Sequence, residues 1–131
     1  MFPKIKKIKT RVFTSEDTKP VIQFYDVTEK LWGEEITLDF NHQGMAIFTL
    51  NTDDTAEPYI FFGAYQKTVN GDNPDTNWDV MINRAGNTLI FNNDCKHEQT
   101  IEIKLCLIPR DDENPLKQLI SADPMIKNRP D

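Results

Sequence analysis

Short apolar runs rich in β-branched and aromatic residues recur along the chain, each closed by residues that favour turns. The runs are Lys4 to Phe13, Pro20 to Val27, Glu34 to Phe40, Met45 to Leu50, Pro58 to Tyr65, Trp78 to Asn83, Thr88 to Asn92 and Thr100 to Ile108. Clusters such as Asn41-His-Gln-Gly, Asn70-Gly-Asp-Asn-Pro-Asp and Arg84-Ala-Gly-Asn separate them, and their side chains accept turn dihedrals or bond their own backbone. Only Leu116 to Ile120 has helical spacing, for one turn at most. Strands at this spacing predict an all-β fold, a single-domain antiparallel β-sandwich of about eight or nine strands spanning residues 1–131.

Alternation within the runs assigns faces. In Thr100 to Ile108 the residues Ile101, Ile103, Leu105 and Leu107 share one face, and Glu102, Lys104 and Cys106 the other. Pro58 to Tyr65 is apolar on both faces, which predicts a central strand covered on each side. The cations of Lys4 to Arg11 interleave imperfectly with Ile5, Ile8 and Val12, the pattern of a solvated strand face.

Composition narrows the partners. With 131 residues, 38% of them hydrophobic, the chain suffices for one domain with a real core. Its net charge of −6 argues against a nucleic-acid partner, since binding to phosphates gains affinity from clustered cations. No apolar run approaches the length of a membrane span, and the basic start lacks the apolar stretch of a secretory leader. A cytoplasmic location, no membrane partner and no cofactor are therefore expected. Cys95 and Cys106 are too few for a disulfide scaffold and read as packing residues.

One bond carries unusual chemistry. Asp123-Pro124 is the only Asp-Pro pair in the sequence. An aspartyl carboxyl can attack its own backbone carbonyl to close a five-membered anhydride, and the tertiary-amide nitrogen of proline departs more readily than an ordinary amide. A fold that holds this geometry gains from orientation, with effective molarities on the order of 10⁵ M or more. The alternative is a plain turn, since Asp and Pro both end strands and helices.

Self-cutting near neutral pH calls for a carboxyl whose pKa is raised by burial. Glu57, beside Tyr59, Phe61 and Phe62, is one candidate, and Asp79, inside the strand-like Trp78 to Ile82, is another. Either also reads as a satisfied hydrogen-bond acceptor. Lys104 is the candidate amine: desolvated it can react with an activated aspartyl group, and otherwise it forms a salt bridge with a strand neighbour.

Other constellations carry less. Asn73, Asp75, Asn77 and Asp79 alternate as calcium ligands do, but Trp78 stands where a calcium loop requires glycine and Arg84 where it requires glutamate. Asp94, Cys95, His97 and Glu98, with His42, match no zinc spacing and read as loop residues. Ser15 and Ser121 lack a nucleophile-elbow context. Trp32, Trp78 and Tyr65 could face a sugar, though core packing accounts for them more simply. No metal is expected.

The Glu57-Pro58 pair opening an aromatic strand, the strand lysine Lys104 and the tail Asp123-Pro-Met-Ile-Lys-Asn-Arg-Pro130 together resemble the bacterial DP-EP family of self-cleaving, self-assembling endopeptidases. The resemblance implies a β-sandwich and an autocatalytic, aspartic-type cut at Asp123-Pro124. Residues 124–131 then stay bound as a strand, and the new aspartyl group can become joined to a lysine of the preceding long strand, Lys104, with Lys96 as the fallback. It also implies an acidic residue that activates water, which no motif here assigns. With Glu57 and Asp79, the carboxyls singled out above for a raised pKa, the candidate catalytic set is Asp123, Lys104, Glu57 and Asp79, and the partner is the chain itself, in cleavage and as a homo-oligomer. The alternative is a non-catalytic β-sandwich that binds or assembles through its tail.

Overall fold

A computed structural model describes residues 4–14, 19–50, 59–70, 79–111, 115–122 and 124–130, without the side chains of 68–70 and 115. Among the described residues eleven strands form: β1 (Lys4–Phe13), β2 (Val21–Asp26), β3 (Leu31–Gly33), β4 (Thr37–Phe40), β5 (Gly44–Leu50), β6 (Tyr59–Asn70), β7 (Asp79–Ile82), β8 (Thr88–Asn93), β9 (Gln99–Pro109), β10 (Leu119–Ile120) and β11 (Met125–Asn128). Each of the eight apolar runs holds a strand; β11 lies in the 124–131 tail for which the resemblance implies a strand, and β3 and β10, which were not expected, help raise the count above eight or nine. The helical hint resolves into a 3-10 turn at Pro115–Lys117 followed by β10.

Two sheets stack over one core. The first has six strands in the order β3-β2-β1-β5-β8-β7; the second runs β10-β9-β11-β4, with β6 on the other side of β9. Phe24, Phe48, Leu89 and Phe91 from the first sheet and Phe40, Ile101, Ile103, Leu105 and Ile126 from the second are almost wholly buried between them. Phe24 and Phe48 meet edge to face at 5.9 Å.

The sheets are mixed, which corrects the antiparallel expectation. β1 runs parallel to β5 from Lys4↔Gly44 to Thr10↔Leu50, and β11 runs parallel to β4 from Met125↔Thr37 to Asn128↔Phe40. The cause is connectivity. After β3 the chain crosses to the second sheet as β4 and returns as β5, so β5 reaches β1 by a crossover rather than a hairpin. The backbones approach closely there, and a Cβ on Gly44 would collide with the Lys4 carbonyl.

Strand β6 corrects a second expectation. It is not covered on both faces: Phe62 is 59% and Tyr65 49% exposed. Phe61 pairs with Leu107 and Gly63 with Cys106, so Phe62 is the extra residue of a bulge that turns it outward while Tyr59 and Phe61 stay buried. Trp32, with Tyr65, also departs from the core: its ring lies 4.3 Å from the Arg11 guanidinium and edge-on to Tyr25, on the outer side of the first sheet. Trp78 lies outside the described residues.

Strand β1 has the expected solvated face. Ile8, Thr10 and Val12 point into the core, while Lys7, Lys9 and the half-buried Arg11 point out. No described helix is long and apolar enough to cross a membrane.

Candidate functional site

Strand β9 builds the site. Its β-branched alternation buries Ile101, Ile103, Leu105 and Leu107 completely and turns Glu102, Lys104 and Cys106 to the opposite face, as the sequence pattern predicts. Along one edge of β9 runs β6, which sets Tyr65 opposite Lys104. Along the other edge runs the tail, with Leu119 opposite Leu107 and Ile120 opposite Cys106.

The tail does not keep one register. Ser121 N donates to Leu105 O at 2.9 Å, but Leu105 N donates to Ser121 Oγ at 2.7 Å, so the side chain takes the place of the ladder carbonyl. Pairing resumes where Ile103 N donates to Pro124 O at 2.8 Å and Met125 faces Glu102. Between the Ser121–Leu105 and Met125–Glu102 pairings the tail counts three residues and β9 only two, Ile103 and Lys104, a one-residue slip in register of the bulge type. In sequence, the candidate scissile bond Asp123-Pro124 falls between Ser121 and Met125. Asp123 itself lies outside the described residues, but both of its neighbours are placed.

Lys104 faces the slip. Its Nζ donates to Ala122 O at 3.2 Å and pairs with Glu102 Oε1 at 2.8 Å, the two side chains being 27% and 28% exposed. The hydrogen bond and charge of Lys104 hold the Glu102 carboxyl below the ordinary glutamate range. Burial pushes the Cys106 thiol up, so this neighbour stays protonated and unreactive at neutral pH. A cleft of about 360 Å³ opens beside Lys104, bounded by Pro20, Glu34, Tyr65, Ile120 and Ala122 among others.

The remaining candidates fall elsewhere. Glu57, with Pro58, lies outside the described residues. Asp79 is exposed at the start of β7, the outermost strand of the first sheet, opposite Asn92. Charged residues suit such an edge, which explains an aspartate in a strand without assigning it to Lys104. Lys96 lies in the loop that leads into Gln99, and Gln99 pairs with Asn128, at the end of β11 remote from Pro124. Asn73, Asp75 and Asn77 of the calcium pattern, like Ser15, lie outside the described residues, and among those residues no three His, Cys, Asp or Glu side chains converge. Cys95 and Cys106 are buried and form no disulfide.

Sequence reasoning missed Glu102, Glu34 and Ser121 as members of the site. The alternation of β9 placed Glu102 and Lys104 on one face, a signal for their pairing. Ser121 gave none, because its role depends on where the tail folds back.

Downstream of the slip, β11 is held on both sides. It runs antiparallel to β9 and parallel to β4, with Met125 N donating to Ile36 O at 3.0 Å and Arg129 N to Phe40 O at 2.9 Å. Ile126 is fully buried. Residues 125–129 are thus tied into the sheet by contacts of their own.

No curated protein matches the chain. The model of the DP-EP family matches residues 6–130, a span that includes β9, Lys104, the slip and β11. The chain belongs to the DP-EP family.

Proposed function

We propose that this chain cuts its own Asp123-Pro124 bond, keeps the released segment as β11, and offers the new aspartyl group to Lys104. The single observation that carries this reading is the contact of Lys104 Nζ with Ala122 O at 3.2 Å, one residue from the bond in question. Support also comes from the anchors on either side, Ser121 on Leu105 and Pro124 on Ile103, since catalysis by orientation calls for fixed flanks.

In the first step the Asp123 carboxylic acid adds to its own backbone carbonyl. The C–N bond to Pro124 breaks, the carboxyl proton passes to the proline nitrogen, and a cyclic anhydride and an amine result. Water entering by the cleft opens the anhydride to two carboxyls. Alternatively, the neutral amine of Lys104 opens it to an amide and one carboxyl, a product one water lighter. Glu102, at 2.8 Å, is the acceptor at hand for the proton that Lys104 must lose.

The second reading, a non-catalytic assembly or binding module, is favoured by the same ion pair: Glu102 and Lys104 form the plain strand salt bridge that needs no chemistry. Intact-mass measurement of denatured wild type, Asp123→Ala and Lys104→Ala separates the two. Autoprocessing gives a wild-type body ending at Asp123, either as free acid or one water lighter, no cut in Asp123→Ala, and loss of the lighter product in Lys104→Ala. Full-length mass alone in all three, after prolonged incubation, overturns it in favour of the assembly module.

A further inference from the structure

The far end of β11 carries a feature that cutting does not use. Asn128 closes β11 and Asn93 closes β8, in different sheets, and each is 1% exposed. Their amides bond reciprocally: Asn93 Nδ2 donates to Asn128 Oδ1 at 2.8 Å and Asn128 Nδ2 to Asn93 Oδ1 at 2.9 Å. The orientation of Asn93 is set independently of the tail, because Cys95 N also donates to Asn93 Oδ1, at 3.2 Å. Cys95 holds a left-handed φ of 51° there, and its thiol donates to Phe40 O at 3.6 Å. The body therefore presents one donor and one acceptor in a fixed order, which an asparagine amide matches and a carboxylate or an aliphatic side chain does not.

The rest of the groove reads the same segment at alternate positions. Pro124, Ile126 and Asn128 are buried, while Met125 and Lys127 are partly exposed on the other face. Main-chain bonds to Ile36, Phe40 and Ile103 fix direction and register from both sides. Pro124-Met-Ile-Lys-Asn128 is the only Pro-x-Ile-x-Asn segment in the chain.

We propose that the groove between β4 and β9 is a sequence-selective peptide-binding site, which accepts an extended Pro-x-Ile-x-Asn segment from another molecule in place of the chain's own tail, with Asn93 reading the asparagine. Backbone pairing supplies the affinity, and the alternate pockets supply the choice. The proposal rests on self-cutting only for the source of a free tail in nature; the binding site is independent of it.

The test avoids self-cutting altogether. In an Asp123→Ala chain, a recognition sequence for a site-specific protease is inserted after Asp111, and the protein is nicked so that the tail is held without a covalent link. The nicked protein is unfolded in urea and refolded with excess fluorescent peptide of sequence 115–131 carrying the same Asp123→Ala change; incorporation is read by native mass and anisotropy. The labelled peptide enters the refolded body. Peptides with Asn128→Leu or Ile126→Ala compete at least about tenfold less well, since each leaves a buried partner unmatched, whereas Lys127→Ala stays within about threefold. Equal competition by the Asn128→Leu peptide, or no incorporation at any excess, overturns the proposal. Because Asp123 is absent throughout, neither result bears on whether the wild type cuts itself.

Discussion

Strands β10 and β11 lie against the same edge of β9, two and four residues long, and they are held very differently. Strand β10 pairs only with β9 among the described strands, and its Ile120 is 50% exposed. Strand β11 pairs on both sides, buries Ile126 completely and ends in the Asn93 amide pair. The segment downstream of Asp123-Pro124, which a cut would disconnect, is the better anchored of the two. Retention of a strand after loss of its covalent link depends on this asymmetry, because only non-covalent contacts then hold it.

The largest way to break the contrast is to empty the core under β11. Ile126→Ala is expected to cost about 2–4 kcal/mol, while Ile120→Ala stays within about 0.5 kcal/mol, both measured by urea unfolding. Equal losses would mean that the two strands are equally held. A smaller effect sharpens the boundary between them: Ser121→Ala removes the acceptor of Leu105 N in a buried setting and is expected to cost about 1–3 kcal/mol by the same measurement. The smallest effect lies on the exposed face. Since the Glu102 pKa is lowered in the folded chain, its contribution is present above the ordinary glutamate range and is lost as pH falls through the folded value. A slight melting-temperature deficit of Glu102→Gln at pH 7 should therefore disappear in acid below that range.

Local pattern carried much of this architecture. Alternation in β9 is strong enough that the sequence alone separates the buried Ile101, Ile103, Leu105 and Leu107 from the outward Lys104. Strand β3 escaped because its hairpin is built from Asp26, whose carboxylate takes the Thr28 and Glu29 amides, and from Lys30 at φ 58°, with no glycine or asparagine to mark the left-handed residue. The next hairpin, between β7 and β8, did carry its marker: Gly86, at φ 77°, sits where a Cβ would crowd Ile60. Strand β11 was expected only through the family resemblance, not from its own pattern. Its four residues, in a stretch bounded by two prolines, have little strand signal of their own, and the pairing that makes them a strand comes from β4 and β9, which are distant in sequence. Lys104 was legible as a site residue from its strand, and the same alternation put Glu102 beside it; Glu34 and Ser121, which border the cleft, depend on tertiary placement. Glu57 and Asp123 lie outside the described residues, and Asp79 stands on an edge of the other sheet.

The position of β11 also bears on how the chain reaches its native state. Among the described strands, β4 and β9 join only through β11, which follows both in chain order. Until that segment arrives, each presents an open ladder of backbone donors and acceptors, and closing it brings residues 37–40 beside residues 125–128. Such long-range, parallel closure carries a high loop entropy and folds slowly, with exposed strand edges prone to wrong partners. Insertion of β11 is therefore expected late on the folding path, and any chemistry at Asp123-Pro124 that needs the clamps on both sides must follow it.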